Sequence, residues 1–167
     1  MKHGITILAV CLLAACSGGG GTSTSTMTAP TTTAPTTTPS APVDNSFAGM
    51  LNNVRANNGA GPVAYDSRLG TAAQNHANDM LANNYFSHTG LNGSSPGDRI
   101  TAAGYNWRTY GENIARGQQS ESDVLQAWVN SPGHQANNVN PNFEDFALAK
   151  AGSGSNKYWV LVLATER

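Results

Sequence analysis

The hydrophobic pattern begins in earnest at Phe47. Phe47, Met50, Leu51 and Val54 recur at i, i+3, i+4 and i+7, which predicts a helix that Asn57-Asn58-Gly59 stops. After a loop containing Gly61-Pro62, Asp66 stands as an N-cap before Leu69, Ala72, Ala73, His76, Ala77, Met80 and Leu81, an unbroken face over three turns. Pro96 to Ala103 reads as a short third helix closed by Gly104. Ser120-Glu-Ser-Asp123 has the form of a capping box ahead of Val124, Leu125 and Trp128. The period then shortens. Tyr110, Glu112 and Ile114 alternate with Gly111, Asn113 and Ala115, and Phe146 and Leu148 with Ala147 and Ala149. Tyr158 to Leu163 is continuously apolar, as suits a central strand covered on both faces. Helices first and strands last predict an α+β fold, a three-layer α-β-α sandwich around a small, mainly antiparallel sheet.

Upstream of this domain the pattern is of another kind. Lys2 precedes an apolar run, Ile5 to Ala14, of about ten residues, half the roughly twenty that span a bilayer, and this matches the core of a secretory signal. The run ends Leu13-Ala-Ala-Cys16, which resembles the bacterial lipobox, where a peptidase cuts before a cysteine that is then acylated. Two or three acyl chains give stable anchoring. Residues 17–43 are Gly-, Thr- and Pro-rich, without aromatics or periodicity, and read as a disordered, extended spacer. The expected organisation is therefore a signal over 1–15, a lipidated Cys16, a linker over 17–43 and one domain over 44–167. It implies an exported protein, lipid-anchored to the bacterial cell envelope and facing outward. Ser17 after the cysteine is compatible with sorting to an outer membrane as well as with retention at the cytoplasmic one.

Composition narrows the function classes. Nine Lys and Arg stand against ten Asp and Glu with no basic block, so no electrostatic footprint for nucleic acid exists. Both cysteines, Cys11 and Cys16, lie in the first sixteen residues, so the domain has no disulfide framework, thiol nucleophile or thiolate metal site. A single small domain is expected to be a monomer.

The chemistry falls to a few residues. His76 lies on the apolar face of the strong helix and reads as a core histidine with one hydrogen-bond partner. His88, after Tyr85-Phe-Ser87, and His134, in a turn Ser131-Pro-Gly-His134, are loop-borne. Glu112 sits inside an otherwise apolar strand, where a carboxylate must meet a partner or a cleft. Two histidines and a glutamate are compatible with a divalent metal site with open positions, such as Zn²⁺, and equally with a hydrogen-bonded network fixing three loops. No His-Glu-x-x-His, Gly-x-Ser-x-Gly or phosphate-loop motif is present.

The series Ala73-Gln-Asn-His-Ala-Asn-Asp-Met80, Tyr85-Phe-Ser-His88, Gly111-Glu-Asn-Ile-Ala115, Trp128-Val-Asn-Ser-Pro-Gly-His134 and Asn140-Pro-Asn-Phe143 resembles the CAP superfamily of cysteine-rich secretory, antigen 5 and pathogenesis-related proteins, in its bacterial SCP-like branch. Each motif is weak alone; five in order over residues 46–165 are specific. The resemblance implies an α-β-α sandwich with a central cleft holding two His and two Glu. His88, Glu112 and His134 match three of the four. The second Glu falls on Ser131, or in some bacterial relatives on Pro132, so the tetrad is incomplete. The loss weakens any case for acid-base work by paired carboxylates. The resemblance then favours a binding module, whose cleft holds a lipid or sterol, a cell-envelope component or a protein, with or without a metal at His88, Glu112 and His134, and with Ser131 beside it. The competitors are a hydrolase or peptidase using His88 or His134 as base, and a polar clamp that only joins loops.

Overall fold

The computed structural model describes residues 46–167. The expected signal over 1–15, the expected lipidation at Cys16 and the expected linker over 17–43 lie outside the described residues. The first helix, α1 (Phe47–Ala56), is capped by the Ser46 hydroxyl and ends at Asn57, with Gly59 in the left-handed region at φ 75°. A two-residue strand, β1 (Ala64–Tyr65), precedes α2 (Ser67–Asn83), whose cap is Asp66, accepting from the amides of Arg68 and Leu69. The third helix, α3 (Pro96–Ala102), starts on a Ser95–Asp98 capping box. β2 (Trp107–Arg116) leads to α4 (Glu121–Val129), with the Ser120–Asp123 box read from the sequence, and then to α5 (Pro132–Asn138). The hairpin of β3 (Asp145–Ala151) and β4 (Tyr158–Glu166) completes the fold. Gly152 at its turn has φ +84°, and a Cβ there would sit 2.1 Å from the Asn156 carbonyl oxygen, so only glycine fits.

The sheet runs β1-β3-β4-β2, antiparallel at β3–β4 and β4–β2 and parallel at the short β1–β3 pairing. β4 is central, as its apolar run predicted, and sends alternate side chains to opposite faces. Tyr158, Val160, Val162 and Ala164 pack with Leu69, Ala73, Ala77 and Met80 of α2 and Ile100 of α3. Trp159, Leu161 and Leu163 pack with Phe47 and Leu51 of α1 and Val124, Leu125 and Trp128 of α4. Two apolar cores, one on each face of a single sheet, make the expected three-layer sandwich. Among the described residues no helix is long and apolar enough to cross a membrane.

Two elements differ from the sequence reading. Ser131 to His134 is not a turn but the start of α5, which has no apolar stripe. Its anchor is Asn138, fully buried, which accepts a hydrogen bond from Asn113 and donates one to Gln135. β1, too short to show a period, adds the parallel pairing.

A further departure is Arg55, which is fully buried in α1 with no carboxylate partner among the described residues. Its guanidinium donates to the carbonyls of Gly61 (2.7 Å), Asn138 (2.8 Å), Asn140 (3.1 Å) and Phe143 (3.1 Å). Five donors in a rigid fork suit such a ring of backbone acceptors. Desolvation holds the Arg55 pKa below its ordinary value. This one side chain fixes the segment joining α5 to β3.

Candidate functional site

The site straddles the outer edge of β2. Alternation along that strand sends Glu112 and Ile114 toward the α2–α3 layer and Gly111, Asn113 and Ala115 toward the α1–α4–α5 layer. The two halves of the cleft are therefore built on opposite faces of the sheet.

On the first face, the Glu112 side chain is 2 % exposed and both oxygens are engaged. Oε1 accepts from His88 Nδ1 at 2.7 Å, and Oε2 from Arg99 Nη2 at 2.8 Å. A carboxylate bonded to Nδ1 fixes the proton there, so the His88 Nε2 is left as the free acceptor of a ring that is 50 % exposed. Arg99 also donates to the carbonyls of Ser94 (3.0 Å) and His88 (3.0 Å), gripping the loop that carries the histidine. The sequence reading missed Arg99. The available signal was that a carboxylate in an apolar strand demands a cation, and Arg99 is the one lysine or arginine between Arg68 and Arg108.

His76 is 1 % exposed and bonds the Ser87 carbonyl through Nε2 at 2.9 Å, a core histidine with one partner as expected. Its Nε2 lies 4.0 Å from Glu112 Oε1, and its Nδ1 has no partner among the described residues. Burial holds its pKa below the ordinary imidazole value, against a smaller opposing pull from Glu112. Its neighbour Tyr85 donates its hydroxyl to Asp79; desolvation first, then that bond, push the phenol up to about 12.

On the second face, α5 presents His134, whose Nδ1 is 2.9 Å from Ser131 Oγ. Ser131 is the N-cap residue of α5, yet its hydroxyl makes no capping bond and is given to the histidine instead. Desolvation, then the proximity of His88, lower the His134 pKa, so the ring is neutral at pH 7. An amide web holds this half in place. Asn113 Nδ2 donates to the His134 carbonyl and to Asn138 Oδ1, both at 3.0 Å, and Asn137 Nδ2 donates to Asn113 Oδ1 at 2.8 Å. The same packing is close at Gly111, where a Cβ would lie 3.0 Å from both Asn137 Oδ1 and the Phe143 ring and would press on both.

His88 and Glu112 are thus in direct contact, whereas His134 and Ser131 form a separate pair that faces them across the strand edge. Among the described residues no three His, Cys, Asp or Glu side chains are gathered so as to hold a metal ion. Each Glu112 oxygen already accepts one hydrogen bond, and the cleft adds the imidazoles of His88 and His134. A cavity of about 380 Å³ adjoins the first half, sharing His76 and Arg99 with it.

The family described as CAP, the cysteine-rich secretory protein family, matches residues 48–163. The uncharacterised protein YkwD of Bacillus subtilis (strain 168) is 38 % identical over 106 residues, 64 % of this chain and 41 % of that protein. An extracellular protein containing an SCP domain from Bacillus anthracis superposes with TM-score 0.65 at 28 % identity, over 72 % of this chain and 39 % of the other. An outer surface protein of Borrelia burgdorferi shares the fold, with TM-score 0.67 at 20 % identity over 72 % of this chain and 90 % of that one. The chain spans about two fifths of the length of the two Bacillus proteins. With the five ordered motifs, the three-layer fold and a family match over more than two thirds of its length, the chain belongs to the CAP, or cysteine-rich secretory protein, family.

Proposed function

We propose that the chain is an exported, lipid-anchored envelope protein whose CAP domain acts as a monomeric ligand-binding module, with His88 as the group that meets the ligand. The observation that carries this reading is the commitment of Glu112. A carboxylate held by Arg99 on one oxygen orients His88 with the other, and the half-exposed His88 ring keeps Nε2 without a partner among the described residues. Such an acceptor, backed by a buried carboxylate, is a strong point of attachment for a polar group or a metal ion. If a divalent cation joins the ligand, its protein donors are the imidazoles of His88 and His134, with Glu112 as the outer partner of His88. Export and anchoring rest on the Leu13-Ala-Ala-Cys16 sequence, supported by the extracellular character of the Bacillus anthracis protein. Envelope components, among them lipids and glycans, are the ligands that such a tether would bring within reach.

A hydrolytic reading has less support. Ser131 stands where a second carboxylate would separate an acid from a base, and among the described residues its hydroxyl is paired with His134 Nδ1 alone. A polar clamp has one observation in its favour, since Glu112 ties β2 to α3 and to the loop after α2. A clamp and a binding site are compatible on one carboxylate.

The test is co-sedimentation of the full chain, with Cys16→Ser to prevent acylation, with purified sacculi and with envelope-lipid vesicles. The expected result is retention on one of them that His88→Gln weakens at least about tenfold while the folded spectrum is kept. Equal retention of parent and variant on both refutes the reading.

A further inference from the structure

The outer edge of β3 carries main-chain groups that the fold leaves open. In an antiparallel pair the N–H and C=O of every second residue turn away from the partner strand. Those of Phe146, Leu148 and Lys150 turn away from β4: the Phe146 carbonyl accepts from the Asp66 amide at 3.0 Å, and the Lys150 carbonyl from Gln74 Nε2 at 3.0 Å. Between them, the outward N–H and C=O of Leu148 have no partner among the described residues, and neither has the outward N–H of Lys150. β1 lies alongside β3 for two residues, pairing Ala64 with Asp145 and Tyr65 with Phe146, and the chain then turns into α2. The lane that β1 begins is therefore empty beside Leu148, up to the point where the Gln74 side chain crosses it.

This stretch of edge opens on both faces of the sheet. Ala149 directs its side chain into the α2 core, and Leu148 leans on the α1–α4 core. Both residues nonetheless line two cavities. One, of about 400 Å³, lies on the α2 side among Tyr65, Gly70, Thr71 and Gln74; the other, of about 230 Å³, lies on the α4 side among Glu121, Lys150 and Trp159. A residue whose side chain serves one face meets the other through its main chain, so the open groups of Leu148 stand where the two cavities join. An edge with free donors and acceptors is a template for another strand. Successive side chains of a strand point to opposite faces, so an added strand sets neighbouring residues into the two cavities in turn. From Phe146 to Lys150 the edge runs about 13 Å at roughly 3.3 Å per residue, room for about three or four residues. An identical edge does not fit this window, because β3 of a second copy would bring its own Tyr65 and Gln74 against those of the first.

We propose that the outer edge of β3 is a docking site for an extended peptide segment of a partner protein, which adds as a short strand in line with β1 and bonds the N–H and C=O of Leu148 and the N–H of Lys150. A bulky side chain of the peptide lies against Tyr65, which is 63 % exposed, and over Gly70, where a Cβ would come within 2.5 Å of the tyrosine hydroxyl. The next residue is small and polar, between Lys150 and Glu121. The site is on the β1–β3 side of the sheet, opposite the β2 edge where the His88 cleft lies.

The probe is a phage-displayed library of random seven-residue peptides, panned on the full chain with Cys16→Ser. A selected peptide is then synthesised and followed by amide hydrogen exchange and the backbone ¹⁵N spectrum. Expected is exchange of the Leu148 and Lys150 amides slowed about tenfold or more on binding. N-methylation of the peptide at every second residue should abolish binding in one phase and spare it in the other. Leu148→Pro deletes one outward N–H and no bond to β4, and should weaken the peptide about tenfold. Thr71→Trp, at an exposed position of α2, fills the larger cavity without touching the edge and should do the same; it decides the matter if the proline variant does not fold. No enriched peptide, unchanged exchange at Leu148 and Lys150, or equal affinity in Thr71→Trp overturns the proposal. Slowing of the Leu148 amide with protein concentration alone also overturns it, since the occupant is then a second copy. Shifts confined to His88 and His134 overturn it too, while leaving the cleft reading in place.

Discussion

Removing the Glu112 carboxylate tests both the fold and the site. In Glu112→Ala, Arg99 keeps its two carbonyl acceptors but loses the one carboxylate that it bonds among the described residues, in a position where its side chain is 12 % exposed. Breaking a buried pair by deleting one partner costs about 3–5 kcal/mol. The low end applies here, because the half-exposed His88 rehydrates once released and contributes little to the loss. A loss of about 3 kcal/mol is a large part of the 5–15 kcal/mol that a domain has, and lowers the melting temperature by roughly 10 °C. The assay is urea denaturation of the full chain, followed by far-UV circular dichroism and tryptophan fluorescence. Adding Arg99→Met to Glu112→Ala should recover at least half of the loss, since both charges are then gone. Glu112→Gln is the conservative companion. Its amide nitrogen faces His88 Nδ1, so the proton moves to Nε2 and the cleft presents a donor in place of an acceptor, visible in the imidazole ¹⁵N spectrum. A loss below about 1 kcal/mol in Glu112→Ala, or a double variant no more stable than the single, refutes the argument that this ion pair is buried and mutually dependent.

Other outcomes follow from the same geometry. Arg55→Lys exchanges a fork serving four carbonyls for a point charge and should cost about 2–4 kcal/mol by chemical denaturation; a loss under about 0.5 kcal/mol would mean the ring of acceptors is satisfied without it. His76 and His134 have folded pKa values below the ordinary 6.5, so the unfolded chain binds more protons just below that pH. Their contribution to stability is full above about pH 6.5 and is lost as the pH falls toward their folded values; His76→Gln with His134→Gln should flatten that slope in denaturation curves taken between about pH 7.5 and 5. Calorimetric Zn²⁺ titration should give binding weaker than about 10 µM that disappears in His88→Gln, as two imidazoles allow; tighter binding would reveal a third protein ligand. Gly111→Ala should destabilise by about 1–3 kcal/mol, because its Cβ meets Asn137 and Phe143; an unchanged midpoint would show that both can shift aside.

Where apolar period carried the signal, the sequence was readable. α1, α2, α4 and the central place of β4 all follow from spacing, and the Asp66 and Ser120–Asp123 caps were visible because capping is local chemistry. Glu112 stood out because a carboxylate inside an alternating strand is locally anomalous. Arg55 and Arg99 did not, because a lysine or arginine on a helix is ordinarily solvated, and only tertiary packing decides otherwise. α5 hid for a related reason: it is held by Asn137 and Asn138, polar residues that read as loop. His88 and His134 were both singled out from the sequence. That they approach from opposite faces of the sheet could not be read from it, since it depends on which side of β2 each neighbouring element packs.

The place of β4 has a consequence for the order of assembly. It follows every other described element, yet among the described strands it alone is paired on both sides over most of its length, from Tyr158 to Ala164, and it supplies side chains to both cores. A nascent chain that has delivered α1 through β3 therefore holds two open half-cores and no completed sheet. Vectorial synthesis cannot lock the domain early. The nine-residue β4 acts as a keystone that closes both layers at once, so neither core is complete until this strand has been delivered.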